Sequence, residues 1–326
     1  MSLFTFFKDK RNNMNEHEPD WEKKIITKLA ESSLHEQKRA RRWSIFFKLL
    51  TFGYLITLLV LFSDSDMAAN KLTSKHTALI DLSGLIAEGE KASSDNIVTA
   101  LRDAFEDKNT VGVILRINSP GGTPVQAGYI YDEIIRLREK YPDTPLYAVI
   151  SDMCASGGYY VAAAADKIYA DKASIVGSIG VRMDNFGFVE AMKKLGVERR
   201  TLTAGKNKAL LDHFMPVAEE VNKHMSAMLH SIHQQFIGAV KKCRGDRLKE
   251  DVEGLFAGLI WTGEQSLEIG LIDELASSGY VAREVIGEED IVNFTVTDDI
   301  FDRLAKRVGA TMASILMKND NQPYMY

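Results

Sequence analysis

Val111-Gly112-Val113-Ile114-Leu115-Arg116-Ile117 runs straight into Asn118-Ser119-Pro120-Gly121-Gly122, and this stretch decides the fold. The first part is a short apolar run of strand length, and the second stops it. A proline fixes the chain at 120, and two glycines allow φ > 0 and close backbone approach. Such a turn can aim a backbone N–H at a ligand oxygen, as an oxyanion hole requires. Upstream, Ala78 to Leu82 reads as a strand, Gly84 to Asp95 as a loop, and Asn96 to Phe105 as a helix with Ile97, Ala100, Leu101 and Ala104 on one face. Downstream come a helix from Val125 to Lys140, a strand from Leu146 to Ile150 and a small apolar helical segment from Ala155 to Ala165. Strands alternating with helices predict an α/β domain of repeated ββα-like units.

The rhythm continues in the second half. Asn222 to Arg244 is a long amphipathic helix, and Trp261 to Leu275 (WTGEQSLEIGLIDEL) a turn, a helix and a short strand. Val292 to Val296 reads as a strand and Ile300 to Met317 as an amphipathic helix, leaving 318–326 as a disordered tail. No solenoid repeat and no low-complexity tract is present.

A second glycine turn, Ala155-Ser156-Gly157-Gly158-Tyr159-Tyr160, sets a serine where a strand gives way to a helix. Taken singly, a Pro-Gly-Gly is a turn and a serine before a helix an N-cap. Paired one strand–helix unit apart, they point to a nucleophile, Ser156, with the Gly157 N–H beside it. No histidine stands in a base motif, and no G-x-S-x-G elbow surrounds the serine. His230 and His233 are one turn apart, but without a carboxylate ligand they read as a helix surface rather than a metal site. A lysine is the other available base if desolvation lowers its pKa. Leu202 to Leu211 holds two, Lys206 and Lys208, between which local sequence does not choose.

The bulk properties narrow the alternatives. With 40 Lys and Arg against 45 Asp and Glu, a net charge of −5 argues against nucleic acid as the main partner. Two cysteines, Cys154 and Cys243, exclude a disulfide framework and a zinc cluster, though one bridge between them stays open. Neither a metal nor a cofactor is expected.

Before the α/β rhythm lies WSIFFKLLTFGYLITLLVLF, Trp43 to Phe62, about the length that spans a bilayer. Its one charge, Lys48, stands near the start, where it can snorkel. Lys38-Arg39-Ala40-Arg41-Arg42 precedes it and Ser63-Asp64-Ser65-Asp66 follows, which predicts a signal anchor with a cytoplasmic N-terminus. The expected organisation is a polar cytoplasmic tail over 1–42, a transmembrane anchor over 43–62, a linker over 63–76 and a catalytic domain over 77–317. Within the tail, Trp21, Ile25 and Leu29 suit an amphipathic helix over Trp21 to Leu34.

Taken together, INSPGG (117–122), ASGGYYVAAAADKIYA (155–170), IVGSIGV (175–181), TAGKNK (203–208) and WTGEQSLEIGLIDEL (261–275) resemble, in order, the signal peptide peptidase A family. The wider superfamily is that of Clp protease and crotonase, a spiral of ββα units. The resemblance implies Ser156 as nucleophile and Lys208, in Gly205-Lys206-Asn207-Lys208, as base. It implies Gly122 and Gly157 as oxyanion-hole donors and Ser178 as the hydroxyl that orients the lysine. Ala209 departs from the acidic or bulkier residue common after that lysine. The activity implied is a Ser–Lys serine endopeptidase acting on remnant signal peptides and other apolar peptides as a homo-oligomer. It would sit in a bacterial inner membrane with its catalytic domain on the extracytoplasmic side. A crotonase-type acyl-CoA enzyme and an inactive membrane scaffold are the rival readings.

Overall fold

In this computed structural model, residues 21–61 and 74–296 are described, with side chains over 23–58 in the first segment. The 1–20 part of the tail, most of the linker, the helix expected from Ile300 and the 318–326 tail lie outside the described residues.

The strand that decides the fold is β2 (Thr110–Ser119). It lies parallel between β1 (His76–Ser83) and β3 (Leu146–Ala155), with Ile80 beside Leu115 and Ile117 beside Ile150. Its apolar run is almost unbroken because both faces are covered. Val113, Leu115 and Ile117 join the main core, whereas Ile114 faces a smaller cluster with Leu79, Val149 and Tyr169. Helices α2 (Ser94–Glu106), α3 (Pro124–Lys140) and α4 (Gly157–Ala163) contribute Ile97, Leu101, Ile130, Ile134 and Val161 to the main core.

β3 carries the spiral. Its first half pairs with β4 (Lys167–Ala170), and its last three residues pair with β5 (Ile175–Gly177). The expected strand therefore runs five residues beyond Ile150, the pairing skipping the polar Ser151-Asp152 step and resuming at Met153 on β5. The helix expected from Ala155 begins only at Gly157, because Ser156 has φ 52° and ψ −123°, which no helix accommodates. After α5 (Val189–Leu195) and α6 (Glu219–Arg244) come β6 (Ile260–Thr262), α7 (Gly263–Glu268), β7 (Glu274–Leu275), α8 (Ser278–Tyr280), a π-helical turn over Val281–Ile286 and β8 (Ile291–Asn293). The eight-stranded sheet has the order β6-β5-β3-β2-β1-β8, with β4 branching from β3 and β7 pairing with β4. Every pairing is parallel except β5 with β6.

α6 shows Phe236, Val240 and Arg244 as its buried stripe. Arg244 ends that helix inside the protein, its side chain 1% exposed, with both Nη atoms on the Asp273 carboxylate at 2.7 and 3.0 Å. Its Nε donates to the Gly270 carbonyl at 3.0 Å, and Asp273 also accepts the Ile168 N–H at 2.7 Å. The end of α6 is thus tied to the β4 and β7 strands. Both cysteines are free, so the bridge left open by their number is absent.

A separate unit is α1 (Trp21–Leu61), one continuous helix of 41 residues in place of a tail helix and a distinct anchor. Its apolar side chains, among them Ile45, Phe46, Leu49, Leu50, Phe52 and Leu55, are about half exposed or more. Among the described residues no helix is long and apolar enough to cross a membrane. In sequence the apolar run continues to Phe62, which lies outside the described residues.

Candidate functional site

The C-terminal ends of β1, β2, β3 and β5 converge, the usual place for a site in a parallel sheet. Ala155 pairs with Gly177, so the next residues, Ser156 and Ser178, leave the sheet side by side. The Ser156 N–H donates to the Gly177 carbonyl at 2.8 Å, and the Ser156 carbonyl accepts the Tyr160 N–H at 3.0 Å. Ser156 and Ser178 both have φ 52°, a region non-glycine residues seldom enter. Each such conformation costs about 1–3 kcal/mol and persists only where the surroundings enforce it. Ser156 also occupies the N-cap position of α4, yet its side chain makes no capping hydrogen bond. The capping role available to a serine here is therefore unused, and the residue is half-buried.

The Pro-Gly-Gly turn lies directly against it. A Cβ at Gly121 would stand 2.7 Å from the Gly157 nitrogen and 2.8 Å from the Ser156 Cβ. Ile86 forms an isolated parallel bridge with Gly122, its N–H donating to the Gly121 carbonyl and its carbonyl accepting the Thr123 N–H. Neighbouring peptide groups of extended chain point to opposite sides. With 121 and 123 turned to Ile86, the Gly122 N–H faces the other way, towards the serine turn. A Cβ at Gly157 would lie 3.1 Å from that Gly122 nitrogen. The Gly157 N–H is the first of α4 and has no intrahelical acceptor. The Gly122 and Gly157 amides thus lie together beside the Ser156 turn.

Sequence reasoning missed two supports of this arrangement. Buried Ser119 donates its Oγ–H to the Gly84 carbonyl at 2.6 Å and accepts the Gly121 N–H at 3.1 Å, bracing the turn from below. Ile86 bridges the turn from the loop after β1. The pattern Ser119-Pro120-Gly121 carries a trace of the first, since serines cap turns; nothing local signals the second. Cys154, two residues before Ser156, is buried, and burial pushes its thiol up, so it is no competing nucleophile.

The lysines lie on a different segment. Lys206 Nζ donates to Glu220 Oε2 at 3.0 Å on the surface. Lys208 is exposed, in the turn that follows Gly205. Among the described residues no hydrogen bond or ion pair joins Lys208 to Ser156 or Ser178. The surrounding stretch is unusually apolar for a surface, with Phe186 71%, Leu195 78% and Leu202 fully exposed. An open groove of about 320 Å³ beside it is lined by Met183, Phe186, Leu211, Met215 and Leu229. Among the described residues no group of side chains could hold a metal ion with His233; its Nε2 lies 3.2 Å from the Ile179 carbonyl.

A parallel-dominated α/β sheet with a strained serine beside two glycine amides fits the Clp protease/crotonase class of fold. Within it, the chain belongs to peptidase family S49, whose model matches residues 138–291. A putative signal peptide peptidase SppA of Enterococcus faecium is 30% identical over 234 residues, 69% of this chain and 67% of that protein. Protease 4 of Haemophilus influenzae is 32% identical over 204 residues, 61% of this chain and 32% of that protein. A protein of Brucella abortus named Na(+)/H(+) antiporter NhaA is 44% identical over 189 residues, 58% of this chain. The match to that protein spans only a quarter of its length.

Proposed function

We propose that this chain is a membrane-anchored serine endopeptidase with a Ser156–Lys208 dyad, acting on remnant signal peptides and other apolar peptides. The observation that carries the reading is the uncapped, left-handed Ser156 set against the outward-facing Gly122 amide. The Lys208 amine removes the Ser156 proton, held in line by the Ser178 hydroxyl, and Oγ attacks the peptide carbonyl. The Gly122 and Gly157 N–H groups hold the oxyanion, and the lysine returns its proton to the leaving amine. Water then cleaves the acyl-enzyme by the same route in reverse.

A lysine works as a base only when water is kept from it. Lys208 is exposed in the single chain, on a segment with an excess of exposed apolar side chains. Homo-oligomerisation through the 183–217 stretch supplies the missing cover and brings the amine to a serine, its own or a neighbour's. The apolar run from Trp43 to Phe62 and the basic residues before it support an anchor in the bacterial inner membrane, with the α/β domain on the extracytoplasmic side.

Full-length protein reconstituted in detergent or vesicles should cleave an apolar peptide of signal-peptide composition, and Ser156→Ala should abolish this. Turnover of an acyl-CoA thioester without peptide cleavage would replace the reading with the crotonase alternative.

Gly122 offers a sharper check. A methyl there would fall 1.9 Å from the Ile86 carbonyl oxygen and 2.5 Å from its carbon, a backbone clash that side-chain movement cannot relieve. Gly122→Ala should displace the amide and slow peptide hydrolysis by about 10²–10³-fold, the usual cost of losing one oxyanion donor. A variant hydrolysing at the parental rate would remove Gly122 from the site.

A further inference from the structure

The Trp261–Leu275 motif takes no part in the chemistry above, yet it begins beside the serine turn. Most of its opening residues have a local role. Thr262 caps α7, its Oγ1 accepting the Gln265 N–H at 3.2 Å while Gln265 Oε1 accepts the Thr262 N–H at 3.0 Å. Gly263 permits close approach, since a Cβ there would meet the Asp171 carbonyl oxygen at 2.0 Å. Trp261 has no such duty. Its backbone pairs with Val176 across the one antiparallel junction of the sheet, and its indole packs against Gly177. A Cβ at Gly177, where φ is 110°, would lie 3.0 Å from Trp261 Cδ1 and 3.5 Å from Nε1.

Gly177 joins both serines. Its carbonyl holds the Ser156 amide, and its own peptide leads into Ser178, whose N–H donates to the Leu259 carbonyl at 2.6 Å, two residues before Trp261. Three consecutive features of the Leu259–Trp261 segment thus bear on one turn: a carbonyl, a strand pairing and a flat ring. The Trp261 Nε1–H is buried with no acceptor among the described residues.

We propose that Trp261 is a positioning residue, its ring holding the Gly177–Ser178 turn and thereby the Ser156 peptide in their left-handed conformations. The inference rests on the serine-nucleophile reading, and the two are separable by experiment. The rate of fluorophosphonate labelling and the kcat and KM for peptide cleavage would be measured for the parent, Trp261→Phe and Trp261→Leu in the full-length chain. Phe keeps a flat ring and drops the N–H; Leu keeps apolar bulk without the plane, and both should fold. The expected result is a Phe variant within about twofold of the parent. The Leu variant should label about tenfold more slowly, with the loss in kcat and KM unchanged within about twofold, since misplacement by a fraction of an ångström acts on the reacting geometry. A Leu variant that labels at the parental rate, or Phe and Leu variants equally slow, would overturn the positioning role. A parent that does not label at all would overturn the serine reading beneath it.

Discussion

Lys208→Ala is expected to lower kcat/KM for peptide hydrolysis by roughly 10²–10⁴-fold, the range that a positioned general base contributes. Lys206→Ala should stay within a few-fold of the parent. The two lysines are one residue apart but differ in their surroundings. Lys206 is tied to Glu220 at 3.0 Å, an exposed pair of the kind that contributes little to stability. Lys208 has no ion-pair partner among the described residues and stands in an apolar, exposed stretch suited to burial by another subunit. Steady-state kinetics on one apolar peptide would decide. Loss of activity with Lys206→Ala and retention with Lys208→Ala would exchange their roles. Mixing the two inactive proteins, Ser156→Ala and Lys208→Ala, adds a second reading of the same chemistry. Recovered activity would place each lysine on a neighbour's serine, and no recovery would place it on its own.

The second large effect concerns the fold. Arg244→Met should destabilise the α/β domain by about 3–5 kcal/mol at neutral pH, because removing one partner of a buried ion pair strands the other. Asp273 would lose the group that sustains its charge. Burial by itself raises the Asp273 carboxyl, but the Arg244 hydrogen bond and charge, the Ile168 N–H and Arg247 outweigh it and hold the carboxyl below its usual range. The sign follows from that direction. A depressed folded-state pKa adds stability above the unfolded value of about 3.9, and this is lost as pH falls through the folded value. The difference between parent and Arg244→Met should therefore be large at pH 7 and shrink towards pH 3. Thermal melts at the two pH values measure it, with a shift on the order of 10 °C expected at pH 7 for a domain of this size. Equal shifts at both pH values would contradict the account of Asp273.

Much of this architecture was legible because its strands are buried on both faces. Val111 to Ile117 and Ala78 to Leu82 are apolar runs interrupted by one charge each, Arg116 and Asp81, which pair with each other, and their order with the intervening helices left one class of fold. The end of β3 was hidden because the apolar run stops at Ile150, before the polar Ser151 and Asp152, whereas the pairing of Met153–Ala155 with β5 is a long-range backbone contact that leaves no local mark. α1 was divided in two by composition, polar then apolar, although nothing between Glu36 and Ile45 breaks a helix. Arg244 was visible only as the end of an amphipathic helix, and its pairing with Asp273, 29 residues further along the chain, exists only once the sheet is folded.

The site divides in the same way. Ser156 and the glycines at 121, 122 and 157 were visible because strained turns demand small residues. The contacts of Ile86, Ser119 and Trp261 were not, since each is made to a backbone group whose position depends on the whole sheet. The choice of Lys208 came from resemblance, and the single chain shows why local reasoning could not make it: the surroundings that would keep its amine dry are not supplied by its own turn.

The most direct test is to treat the full-length protein with a fluorophosphonate, locate the adduct by mass spectrometry of its peptides, and repeat this with Lys208→Ala. The account predicts a single phosphonylated residue, Ser156, formed readily in the parent and at least about 10²-fold more slowly in the variant. No adduct on Ser156, or equal rates in the two proteins, would contradict it.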